Sequence, residues 1–108
     1  MEPVEINAGA WYLRSLRDDE RVSDRAAIAD LEIADPAAHI LGAQQGWDDE
    51  THYTWAVCIP TTGELIAEIV VSDDGEISGR ARPGHEQALR DSLPVVQRFV
   101  EGALGIAP

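Results

Sequence analysis

Residues 4–16 alternate with the period of a strand: Ile6, Ala8, Ala10 and Tyr12 fall on one face, Trp11 and Leu13 on the other. Gly9 inside that run marks a bulge or a break. The charged turn Arg17-Asp18-Asp19-Glu20-Arg21 ends it. Ser23 is placed to cap a short helix over 24–33, with Asp24 favourable to the helix dipole and Ile28 and Leu31 on one side. Asp35-Pro36 opens a second helix, because Asp caps and Pro suits the first helical position. Its inward stripe is expected to be Ala37, Ile40, Leu41, Gln44 and Trp47, with Gly46 marking its end. A three-strand meander comes next. Tyr53, Trp55, Val57 and Ile59 alternate with Thr54, Ala56 and Cys58, Pro60-Thr61-Thr62-Gly63 turns the chain, and a second run covers 64–71. Asp73-Asp74-Gly75 turns it again into a polar edge strand over 76–82. A last helix is expected over 85–104, kinked or restarted at Pro94.

The order is β-α-α-β-β-β-α, which predicts an α+β fold, a mostly antiparallel sheet with helices packed on it. The run Leu65-Ile66-Ala67 with Ile69-Val70-Val71 is apolar on both faces, so cover is expected on both sides of the sheet. At 108 residues the chain is expected to be one domain, 1–108.

Charge narrows the partners. With 20 acidic residues against 8 basic ones, the net charge is −12, which argues against a nucleic-acid surface and against docking on anionic membranes. All the basic residues are Arg, so no lysine Schiff base can form. No apolar run approaches the ~18–20 residues of a membrane span. The acidic start lacks the features of a signal peptide, so a cytoplasmic protein is expected. Cys58, the single cysteine, sits in a strand-like run and is expected to be a small buried apolar residue. No zinc spacing or calcium loop is present, and no metal is expected.

Three segments resemble the GNAT superfamily of acetyltransferases, in its ribosomal-protein-acetylating branch. Tyr12-Leu13-Arg14-Ser15-Leu16-Arg17-Asp18-Asp19-Glu20 is similar to that family's opening strand and acidic turn. Trp55-Ala56-Val57-Cys58-Ile59-Pro60-Thr61-Thr62-Gly63-Glu64-Leu65-Ile66-Ala67-Glu68-Ile69 looks like its central hairpin. Arg98-Phe99-Val100-Glu101-Gly102-Ala103-Leu104-Gly105-Ile106 looks like the end of its cofactor-loop helix, and Ile106 reads as the entry to a buried strand. The resemblance implies a GNAT-like half-domain, the N-terminal half of the family fold without its second half.

In that family the acetyl-CoA pyrophosphate lies on an Arg/Gln-x-x-Gly-x-Gly/Ala loop at the helix N-terminus, where amides and dipole favour an anion. The matching segment here is Arg80-Ala81-Arg82-Pro83-Gly84-His85-Glu86-Gln87-Ala88. Arg82, Gly84 and His85 are the candidate cofactor-binding residues. Against them, the second Gly is missing, Pro83 has no amide proton and Glu86 adds negative charge. The resemblance also implies a tyrosine acid in the second half, and no tyrosine follows Tyr53. Glu68, among apolar neighbours, is the candidate general base, or else a hydrogen-bonded rim carboxylate. Trp11, Trp47 and Trp55 are either core or a shared aromatic pocket between the second helix and the sheet.

The expected function is a catalytically degenerate GNAT-like acidic protein that uses no cofactor and acts through protein contacts, as a homodimer or with a protein partner. One alternative is an acetyl-CoA-dependent N-acetyltransferase completed by dimerisation or a partner subunit. Another is an unrelated acidic α+β binding module for a basic partner.

Overall fold

The computed structural model describes residues 1–105; the strand entry expected at Ile106 lies outside them. Five strands form one antiparallel meander in sequence order: β1 Ile6–Ala8, β2 Trp11–Arg14, β3 His52–Cys58, β4 Leu65–Ser72 and β5 Ile77–Ala81. Two helices, α1 Arg25–Asp30 and α2 Pro36–Asp49, connect β2 to β3. After β5 comes α3 Glu86–Phe99, continued by a π-helical turn over Val100–Leu104. This is the α+β arrangement expected from the order of elements.

Local chemistry explains most boundaries, and several differ from expectation. Gly9 takes φ 66°, a conformation open to glycine without strain, and the chain reverses there. The single strand expected over 4–16 is therefore a hairpin, with Ile6 opposite Leu13. α1 is shorter than expected: it stops at Asp30, and Glu32 turns left-handed at φ 63°. Asp24 precedes α1, but its carboxylate makes no capping bond. Ser23 Oγ accepts from the Arg25 amide at a long 3.4 Å.

α2 starts as the Asp35-Pro36 signal requires, with the Asp35 carboxylate accepting from the Ala38 amide. It does not end at Gly46. It runs on to Asp49 and exits through Glu50 at φ 57°. Gly46 is instead a close-packing position, where a Cβ would stand 2.6 Å from the His52 carbonyl oxygen. The buried face of α2 is Ile40, Ala43, Gly46 and Trp47, while Leu41 is 56% exposed. The inward stripe is thus rotated from the expected one, because the helix must bring Gly46 against β3. α3 passes through Pro94 without a break.

The sheet is covered on both faces. On one side α1 and α2 pack Ala27, Ile28, Ile40 and Ala43 against Ala56, Cys58 and Leu65. On the other, α3 packs Ala88 and Val96 against Trp55, Val57, Ala67, Ile69 and Val71. A register shift between Val57 and Cys58 is a β-bulge that places an extra residue, Ile66, on β4. Trp47 at the end of α2 meets Trp55 edge-on at 5.0 Å, and Trp55 meets Phe99 of α3 at 5.6 Å. Aromatic contacts therefore join both layers through the sheet's end. Among the described residues, no helix is long and apolar enough to cross a membrane.

This packing gives two glycines of α2 opposite roles. Gly42 and Gly46 lie one turn apart, but nothing stands within 4 Å of a Cβ at Gly42. Gly42→Ala should stabilise by about 0.5–1 kcal/mol through helix propensity. Gly46→Ala should destabilise by about 1–3 kcal/mol through overpacking. Urea unfolding of both variants checks the opposite signs; equal effects would contradict the packing. Cys58 is fully buried, and burial pushes its thiol up to about 11. Ellman's reagent should label it no faster than the native chain unfolds, and rapid labelling without denaturant would contradict this burial.

Candidate functional site

On the α1–α2 side of the sheet, around the β3–β4 turn and the close of β5, several ionic contacts lie together, and the side chain of Arg14 reaches them from β2. At their base lies a buried pair. Arg14 at the end of β2 meets the Asp24 carboxylate with both terminal nitrogens, each at 2.9 Å. The same guanidinium donates to the carbonyls of Ser15 at 3.0 Å and Gly63 at 2.9 Å. Asp24 also accepts from the Arg17 amide at 2.7 Å. Burial is the largest single influence on the Arg14 pKa and lowers it; the hydrogen bonds to Asp24, together with the charges of Cys58, Asp24 and Tyr12 in their ionised forms, outweigh it and leave the pKa above the ordinary arginine value. This pair ties β2, the start of α1 and the β3–β4 turn together.

Above it stands the loop from β5 into α3. The Arg82 amide donates to the Ile66 carbonyl at 2.9 Å, so the backbone still follows β4 there. Its guanidinium donates to Asp30 at 2.6 Å and to the Leu65 carbonyl at 3.1 Å, and lies 3.5 Å from Glu64. Pro83 has no amide proton, Gly84 takes φ 87°, and His85 precedes α3 with no side-chain cap. Glu86 occupies the first turn of α3. Two adjoining clefts of about 380 and 430 Å³ share Glu64 and Arg82. Arg82 and His85 therefore converge as the sequence placed them, but Asp30 and Glu64 converge with them.

The third place is on the α2 side of the sheet. Glu68 of β4 is only 3% exposed, and its Oε2 lies 2.5 Å from His39 Nε2 of α2. The pair opens on a pocket of about 200 Å³ lined also by Val70, Ser78, Gly79 and Arg80. Arg80 faces Glu68 in register on β5 and donates to the Leu31 carbonyl at 3.3 Å. A carboxylate and an imidazole in this contact can hold or pass one proton, and Arg80 adds positive charge beside them.

The tryptophans do not line one open pocket. Trp47 and Trp55 are 1% and 0% exposed and pack on each other and on Tyr53 and Phe99. Trp11 lies on β2 and donates its indole N–H to Asp91 of α3 at 3.2 Å. Sequence reasoning missed Arg14, Asp24 and His39. Asp24 beside a helix start reads as a cap, and nothing local marks its partner on a strand. His39 could have been found from the spacing His39, Ala43, Trp47, which shares one face of α2 with Glu68's side of the sheet. Among the described residues, no group of three or more His, Cys, Asp or Glu side chains could hold a metal ion.

No protein-family model matches the sequence, and no curated protein matches it. A solved structure does match, that of a protein assigned as a ribosomal-protein-serine acetyltransferase from Vibrio cholerae. The likeness has a TM-score of 0.78 at 11% identity, and covers 95% of this chain and 70% of that one. At that identity the likeness speaks for the architecture alone. The meander with α1 and α2 on one face and α3 on the other is a GNAT-like α+β fold.

Proposed function

We propose that this GNAT-like domain does not use acyl-CoA and acts through protein contacts. The observation that carries this reading is the state of Arg82. Its guanidinium is held by Asp30 and Glu64, at the place where a cofactor pyrophosphate needs unpaired positive charge. Glu86 in the first turn of α3 and the missing amide proton of Pro83 act in the same direction. A pyrophosphate entering here would meet three carboxylates and would have to displace two of them from Arg82. Such a displacement trades one charge-assisted bond for another and leaves the carboxylates unpaired beside the new anion.

The second reading, an N-acetyltransferase completed by a second copy or a partner subunit, is favoured by one observation. Glu68 and His39 form a base-like pair on an open pocket, on the same face of the sheet as Arg82.

Thermal unfolding with and without millimolar acetyl-CoA separates the two. No shift in Tm is expected. A ligand present at a hundred times its Kd stabilises by about 2.7 kcal/mol, which for a domain of this size raises Tm by about 10–20 °C. A rise of that order would overturn the first reading in favour of the second.

A further inference from the structure

Arg80 of β5 and Glu68 of β4 stand directly opposite each other in the ladder, so their side chains share the α2 face of the sheet. Opposite charges placed this way ordinarily attract into a pair. Here each is drawn aside by another partner. The Glu68 Oε2 meets His39 Nε2 near the start of α2. The Arg80 Nη1 donates to the Leu31 carbonyl at the end of α1. Among the described residues, no carboxylate forms an ion pair with Arg80. Among the same residues, the second Glu68 oxygen, Oε1, accepts no hydrogen bond. Both side chains line the pocket of about 200 Å³ that also holds His39, Val70, Ser78 and Gly79.

We propose that this pocket binds a small free α-amino acid as its zwitterion. The ammonium donates to Glu68 Oε1, and the carboxylate accepts from the Arg80 nitrogens that Leu31 leaves free. Charge, burial and size select this class. The two walls carry opposite charges held apart, so a ligand of one sign satisfies one wall and meets its own sign on the other. An anion alone sits beside Glu68; an amine alone sits beside Arg80. Glu68 is only 3% exposed, and a carboxylate so far from water gains most from a donor at its unfilled oxygen. The volume of about 200 Å³ falls short of the ~300–1,000 Å³ of sites for larger ligands, so the amino acid's side chain is short. This site stands apart from the Arg82 loop. It shares no lining residue with the two clefts there and needs no acyl donor.

Titration of the isotope-labelled whole chain with L-alanine near neutral pH, followed through its amide NMR shifts, tests this. Acetate and ethylammonium serve as half-ligands of one charge each. Saturating shifts at His39, Val70, Ser78 and Gly79 are expected with L-alanine, at a millimolar Kd. Each half-ligand should bind at least about tenfold more weakly, the worth of one charge-assisted hydrogen bond. Arg80 is exposed, so Arg80→Gln should leave the fold intact. It should weaken L-alanine by at least about tenfold without weakening ethylammonium. Glu68→Gln should weaken both. No saturating shift at the pocket by about 0.1 M L-alanine overturns the site. Acetate binding as tightly as L-alanine overturns the ligand class, since Glu68 would then play no part. Binding of L-alanine indifferent to Arg80→Gln also overturns it. None of these titrations contains acetyl-CoA, so the cofactor reading fails separately, through thermal stabilisation by that ligand.

Discussion

The buried contact between Arg14 and Asp24 sets the geometry of the working end of this molecule. α1 has only six residues, too few to be stable as an isolated helix. It holds its place because Ile28 is buried beneath it and because Asp24, just before it, is fixed to β2 and to the β3–β4 turn. Two charges out of water are costly, and the pair is tolerable only because its hydrogen bonds are satisfied in good geometry. Arg14 gives bonds to Asp24, Ser15 and Gly63, and Asp24 also takes one from Arg17.

That contact decides the chemistry of the neighbouring loop. With α1 and the β3–β4 turn fixed on either side, Asp30 at the end of α1 and Glu64 after the turn both point at Arg82. The Arg82 guanidinium is thereby engaged by the chain's own carboxylates. Close approaches hold the remaining layers in place. Gly46 lets α2 settle on His52. Gly79 lets α3 settle on β5, where a Cβ would meet the Leu89 side chain at 2.7 Å and the Glu68 carbonyl at 3.0 Å.

The sequence showed the parts of this fold whose signals are local. The turns at Gly63 and Gly75, the Asp35-Pro36 start of α2 and the alternation of β3 need no distant partner to be recognised. The α+β order comes from them. Gly9 was visible as an irregularity, but a bulge and a reversal have the same local mark, and the pairing of Ile6 with Leu13 decides between them. The stripe of α2 was misplaced because Leu41 is a plausible core residue by type. The face was chosen instead by Gly46, which must approach β3, and by His39, which meets a carboxylate 29 positions away. At the site, Arg82, Gly84 and His85 were found by their place before a helix. That Arg82 is already engaged depends on Asp30, 52 positions away, and on Glu64 across the sheet end, and no spacing rule reports such contacts.

A double-mutant cycle at Arg14 and Asp24, read by urea unfolding, tests the central claim most directly. If the pair organises this end of the sheet, Arg14→Met and Asp24→Leu should each cost about 3–5 kcal/mol, since each leaves the other charge buried and unpaired. The double variant should then cost little more than either one alone, because no orphaned charge remains. Single losses below about 1 kcal/mol that simply add in the double variant would contradict the account, because the two groups would then be stabilised independently of one another.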